Sequence, residues 1–227
     1  MVYGDTPYMV RGGQEDYKRV FYSRQEDALT KPISILPGFG VIPGGTVMGI
    51  VTEGRVGYYV PYVAEGPNTP GAGYQKTWPG ITYVTLTLTT DTVCQIMLAD
   101  SYRFAVDDHI AASDTDDTET DAGAITAIDR TTYSHIAVIT STSNFAAATV
   151  AKGANVYIQT ATGSPYTAAA GILFSSVDTG YGENAKGAQG TLVLSNAVLY
   201  KAAVLGYNSD VKTDLGSTDD GKYVILK

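Results

Sequence analysis

The densest set of groups able to do chemistry is "VDDHIAASDTDDTETDAG", which places seven carboxylates in residues 107–121 without a Lys or Arg. Oxygen-rich stretches of this kind can hold Ca²⁺. An EF-hand-type loop needs Gly at its sixth position and Glu at its twelfth, yet counting from Asp114 the sixth residue is Glu119. The run therefore reads as a solvated acidic loop between strands, with Ca²⁺ binding as the open alternative. Paired carboxylates can also hydrolyse a glycosidic bond when held about 5–10 Å apart across a sugar cleft. Nothing in the pattern around these acids forms such a cleft. The two histidines, His109 and His135, lie 26 positions apart, and neither belongs to an H-E-x-x-H ligand set. There is no G-x-S-x-G elbow, and Cys94 sits in the apolar stretch "TVCQIML" as a thiol expected to be buried. A Ser-His-Asp triad assembled only in space stays open. The expectation is a protein without catalysis, cofactor or resident metal.

A second candidate is "PGFGVIPGGTVMG" at residues 37–49, whose Gly-x-Gly spacing could pass for a nucleotide loop. A dinucleotide fingerprint requires a third glycine and then a helix whose N-terminus faces the pyrophosphate. Here Gly38 and Gly40 are followed by Pro43, and "GTVMGIVTEGRVGYYVPYV" is strand chemistry, β-branched and aromatic with frequent Gly. A phosphate-loop Gly-Lys-Ser/Thr is absent. Gly38, Gly40, Gly44, Gly45, Thr46 and Gly49 are expected to shape a turn and the entry to a strand.

Elements able to position any site are mostly β. In "ITYVTLTLTT" the residues Val84, Leu86 and Leu88 alternate with Thr85, Thr87 and Thr89, the period-2 signature of a half-buried antiparallel strand. Further strands are expected at 93–98, 124–129, 134–141 and 155–160, and a short helix at 195–205 capped by Ser195 or Asn196. The segment "EDYKRVFYSRQEDALTKPISI" fits a helix face through Tyr17, Val20, Phe21, Arg24 and Ala28, and fits a strand equally well. Residues 65–73 read as an exposed loop. No period of 20–50 residues repeats.

Composition narrows the function classes. At 227 residues, the chain is long enough for one large or two small domains. A net charge of −8 argues against a nucleic-acid partner, because such affinity rests on phosphate neutralisation by Lys and Arg. A single cysteine excludes an internal disulfide. No apolar run of about 18 residues is present, so no membrane partner is expected, and no Sec-type signal is visible. Seventeen tyrosines against five phenylalanines and one tryptophan suit half-buried sheets, and also surfaces that meet other surfaces.

Two segments carry a family resemblance. "ILPGFGVIPGGTVMGIVTEG" resembles the opening of the lambda-type head decoration (cement) proteins of tailed phages, where a Pro-Gly-rich turn leads into a Gly-Thr-Val-hydrophobic-Gly strand. "AAGILFSSVDTGYGENAKGAQGTLVLSNAVLYKAAVLGYN" is similar to the family's closing pattern. The resemblance covers residues 36–60 and 167–207. It implies an all-β fold with at most one or two short helices: a small β-barrel or β-tulip-like decoration domain at 37–80 and 161–227. Residues 81–160 have no counterpart in small family members and are expected to form an inserted small barrel or sandwich, its acidic loop standing outward as a solvated knob. By position, residues 1–36 would be an N-terminal capsid-docking arm, in which Tyr17, Phe21 and Tyr22 fill pockets while Arg19 and Arg24 meet acidic capsid groups.

The implied partners are the phage major capsid protein and two further copies of this chain in a homotrimer, on the outer surface of the virion after synthesis in the host cytoplasm. An alternative of another class is a virion-surface adhesin or fibre-like module that binds carbohydrate or a host receptor. A third is a hydrolase using Asp114, Asp116 and Asp117. A major capsid subunit is disfavoured, because nothing in the sequence matches the long helix such subunits carry.

Overall fold

The computed structural model describes residues 21–23, 28–62, 85–90, 92–113, 119–143, 145, 155–163, 167–200, 203–207, 209–215 and 223–226. The first strands are β1 (Phe21–Ser23), β2 (Leu29–Ile35), β3 (Val41–Ile42), β4 (Val47–Ile50) and β5 (Tyr59–Pro61). Then come β6 (Thr85–Thr90), β7 (Val93–Met97), α1 (Leu98–Ser101), β8 (His109–Ser113), β9 (Glu119–Asp129), β10 (Ile136–Ser141) and β11 (Asn155–Ile158). The last are β12 (Gly171–Leu173), β13 (Val177–Asp178), β14 (Ala188–Ser195), β15 (Ala197–Tyr200), α2 (Ser209–Asp214) and β16 (Tyr223–Leu226). The fold is all-β, as expected, and the helices among the described residues are short.

Strands β12, β14, β2, β5 and β4 close into a barrel in that order. Pairing is antiparallel except where β2 meets β5 at Ile35 and Tyr59. Strands β3 and β13 form a two-stranded ribbon. A six-stranded sheet runs β11-β8-β9-β10-β7-β6, and a three-stranded sheet runs β1-β15-β16. In the larger sheet β9 serves two partners: residues 119–124 pair with β8, and residues 125–129 pair with β10. The change of partner falls beside Gly123, whose φ of +71° lets the strand bend there.

Thr85–Thr90 is strand β6, as expected, while the alternation of its side chains lies outside the described residues. In β10, Ala137, Ile139 and Ser141 are buried and alternate with half-exposed neighbours; in β7, Cys94 and Ile96 point inward. Three expectations need correction, and one open reading is decided. Ala197–Tyr200 is strand β15, not helix: Asn196, at φ +59°, turns the chain sharply out of β14 and into a new strand instead of capping a helix turn. The undecided segment around Tyr17–Ile35 contains strands at 21–23 and 29–35. Leu29–Ile35, assigned by position to the arm, is a stave of the barrel, paired along β14. Nor does the sheet stand off as a knob. One continuous cluster of buried side chains joins Ile35, Phe39, Met48 and Leu192 of the barrel region to Cys94, Ile96, Ile139 and Tyr157 of the sheet. The expected loop at 65–73 lies outside the described residues.

Gly49 shows how tightly the barrel is drawn against its surroundings. A Cβ there would lie 2.5 Å from Thr160 Cγ2 and 2.9 Å from the Ala168 carbonyl oxygen. Thr160 cannot give way, since its hydroxyl both donates to the Ala168 carbonyl and accepts from the Ala168 amide. Overpacking of this kind costs about 1–3 kcal/mol. Gly49→Ala is accordingly expected to lower the melting temperature by roughly 2–12 °C in differential scanning calorimetry, whereas an unchanged melt would show that Thr160 and Ala168 are not packed against this strand.

Candidate functional site

Polar groups converge most densely where the β4–β5 loop of the barrel meets the turn that follows α1 in the sheet. Gly54, at φ +73°, brings the barrel loop against the backbone of Asp107 so closely that a Cβ would collide with the Asp107 carbonyl. Next to it, Arg55 reaches across. Its Nε donates to Asp108 Oδ1 at 2.7 Å and its Nη2 to Asp108 Oδ2 at 2.5 Å. The same Nη2 donates to the Arg103 carbonyl at 2.6 Å. Asp108 is completely buried and also accepts the Ala105 amide at 2.8 Å. A carboxylate taken out of water is tolerated only when its lone pairs are filled in this way.

Arg103 ties the second strut. It is buried, and its Nε donates to the Gly38 carbonyl at 2.9 Å, while its Nη2 lies 2.9 Å from Asp100 Oδ1. The guanidinium lies over the Phe39 ring at 5.4 Å and the Tyr181 ring at 5.6 Å. Tyr181 donates its hydroxyl to Asp100 at 3.1 Å, and burial with the neighbouring carboxylate pushes that phenol above its usual range. At the edge of the joint, His109 Nδ1 meets Glu53 Oε2, and Thr162 donates to Glu53 Oε1 at 3.1 Å.

Among the described residues these groups bond to one another and to backbone across the joint. A carboxylate–imidazole pair becomes a relay only if the far ring nitrogen meets a nucleophile, and no described hydroxyl or thiol bonds to His109 there. Cys94 is fully buried, and desolvation pushes its thiol up to about 12, where a nucleophilic thiolate is scarce. No group of three or more His, Cys, Asp or Glu that could hold a metal ion occurs among the described residues. The acidic run is divided among separate tasks: Asp108 is sealed in the joint, and Asp121 accepts the Gln159 side-chain amide at 2.9 Å and the Gly123 amide at 2.7 Å. Residues 114–118, with the Asp114, Asp116 and Asp117 of the hydrolase alternative, lie outside the described residues.

The residues singled out in the sequence fall into two groups. Tyr17, Arg19 and Arg24 lie outside the described residues; the backbone of Phe21 and Tyr22 belongs to β1, which pairs with β15 through Phe21–Leu199. The glycine turn is fully described. Gly38, Gly40 and Gly45 have φ of +91°, +68° and +88°. Thr46 is buried and donates to the Pro43 carbonyl at 2.7 Å, and Gly44 packs on the backbone of Ser175 at 3.1 Å. The turn is held by the distant 173–180 segment: the Gly38 amide donates to Thr179, that of Gly40 to Gly180, and that of Gly45 to Leu173. The joint residues Arg55, Arg103 and Asp108 were missed. Their one sequence signal is a charge set in apolar surroundings, as in "SYRFAVDD".

No protein-family model, no curated protein and no solved structure matches this chain.

Removing one partner of a buried ion pair typically costs about 3–5 kcal/mol, and the partial exposure of Arg55 favours the lower end. Asp108→Ala is expected to lose about 3 kcal/mol in urea unfolding, and Arg55→Ala in the same background should add little more. Fully additive losses would mean that the two side chains do not act as a pair.

Proposed function

We propose that this chain is a capsid decoration protein, which binds the outer surface of a tailed-phage head and holds neighbouring major capsid subunits together. The observation that carries the reading is the meeting of the two segments that resemble the lambda-type family. Strand β4 pairs with β12 and β3 with β13, so stretches more than a hundred residues apart in the chain form one continuous piece of barrel and ribbon. Each segment supplies hydrogen bonds to the turns of the other.

The mode of action follows from multivalency. A trimer that touches several capsid subunits makes its later contacts intramolecularly, so avidity can exceed single-site affinity by roughly 10²–10⁴. No reacting group is needed for that work, and a rigid body suits it better than a hinged one, because a fixed spacing between contacts loses less entropy on binding.

The arm takes a shorter form than the sequence suggested. Since β1 and β2 belong to the body of the protein, the segment left to dock on a capsid strand is residues 1–20, with Tyr17 and Arg19 as its pocket-filling and charge-matching side chains. Full-length protein is expected to co-sediment with expanded capsid shells, and a chain starting at Phe21 should keep its melting temperature but lose most of that binding. Undiminished co-sedimentation of the shortened chain would end the arm mechanism; failure of the full chain to bind shells would end the decoration reading itself.

A further inference from the structure

We propose that Arg130 is a receiving site for a carboxylate, the side chain of an Asp or Glu on a partner protein, which bonds to its open Nη1. The inference is independent of the decoration reading.

The guanidinium is held by α1 and the turn after it. Its Nε donates to Ser101 Oγ at 2.9 Å, and its Nη2 donates to the carbonyls of Ser101 at 2.8 Å and Phe104 at 3.0 Å. Ser101 is fully buried and its hydroxyl donates in turn to the Leu98 carbonyl at 2.7 Å, so the seat itself is fixed. The guanidinium lies over the Tyr102 ring at 5.0 Å. These bonds use every N–H group except those on Nη1, which meet no acceptor among the described residues and are not sealed from solvent.

Every acceptor in that seat is neutral. The other described arginines, Arg55 and Arg103, have Asp108 and Asp100 as counter-charges. The carboxylates beside the seat in the chain are committed elsewhere: Asp129 accepts from Thr131 and Thr132, and Asp100 meets Arg103 and Tyr181. Desolvation holds the Arg130 guanidinium below its ordinary range, as expected of a cation drawn partly out of water without a counter-charge. A cation fixed in this way loses little side-chain freedom when an anion arrives.

The surroundings select the anion. Tyr133 and Met97 are 47% and 45% exposed at the same end of the sheet, Tyr133 in the loop from β9 to β10 and Met97 opposite Ile136 in the ladder. Arg, Tyr and Met are the side chains enriched at the centres of protein–protein contacts. One open nitrogen suits a single carboxylate, and a net charge of −8 disfavours a polyanion.

The test is a nuclear magnetic resonance titration of the full chain with sodium acetate, against sodium chloride at equal ionic strength and pH. Acetate is expected to shift the Arg130 side-chain signals and the amides of residues 101–104 along one saturating curve, half-complete at roughly 10–100 mM. Chloride should leave them in place, and in Arg130→Gln the acetate response should vanish. The blocked peptide acetyl-Leu-Glu-Leu-amide should saturate the same signals at a several-fold lower concentration, because its apolar flanks add contact with Met97 and Tyr133. An unsaturated response, an equal response to chloride, or a response that survives in Arg130→Gln would reduce Arg130 to a structural tie and overturn the proposal. Saturation by inorganic phosphate but not acetate would overturn the carboxylate, and a peptide no better than acetate would overturn the protein partner. If the variant does not fold, the titrations of the native chain decide.

Discussion

One buried carboxylate constrains the whole molecule. Asp108 has no exposed surface and is satisfied by Nε and Nη2 of Arg55 and by the Ala105 amide, so it can exist only where the barrel loop and the turn after α1 are locked together. Such a pair is a poor source of net stability, because desolvating the ions offsets most of their attraction. Its effect is directional. Alternative dockings of barrel on sheet would leave a charge buried and unpaired, which costs several kcal/mol, so one arrangement is selected from the many that hydrophobic packing alone would tolerate. Arg103 repeats the device a few residues away, with its Nε on the Gly38 carbonyl and its guanidinium over the Phe39 and Tyr181 rings.

The consequence for function is rigidity. A shared apolar cluster runs from the barrel into the sheet, and the Arg55–Asp108 pair and the Arg103–Gly38 hydrogen bond cross the same boundary. The sheet therefore extends the barrel as a fixed body. Under the decoration reading, contacts made by the barrel set the position of the sheet over the shell without a hinge between them.

Much of this architecture was legible in the sequence, for reasons that can be named. Strands at 93–98 and 134–141 were expected and are present as β7 and β10, each with one face on the core and the other toward solvent. The glycines of 37–49 announced a turn because positive φ is nearly a glycine property. Cys94 announced its burial through apolar neighbours. What escaped was long-range. Ala197–Tyr200 is strand because β1 and β16 supply ladder partners on either side, information absent from local propensity. Asp108 looked like one acid among seven; its role depends on Arg55, 53 positions earlier in the chain. Leu29–Ile35 looked like part of an arm because the barrel strand that claims it, β14, begins more than 150 residues later. Pairings across such distances leave no periodic trace.

The claim that barrel and sheet are one cooperative body is tested most directly by native-state hydrogen exchange at increasing urea. Amides of Val47–Ile50 in the barrel and Ile136–Ser141 in the sheet are expected to converge on a single opening free energy and a single urea dependence, equal to those of global unfolding. Exchange of the sheet amides at lower urea, while the barrel amides stay protected, would contradict the account.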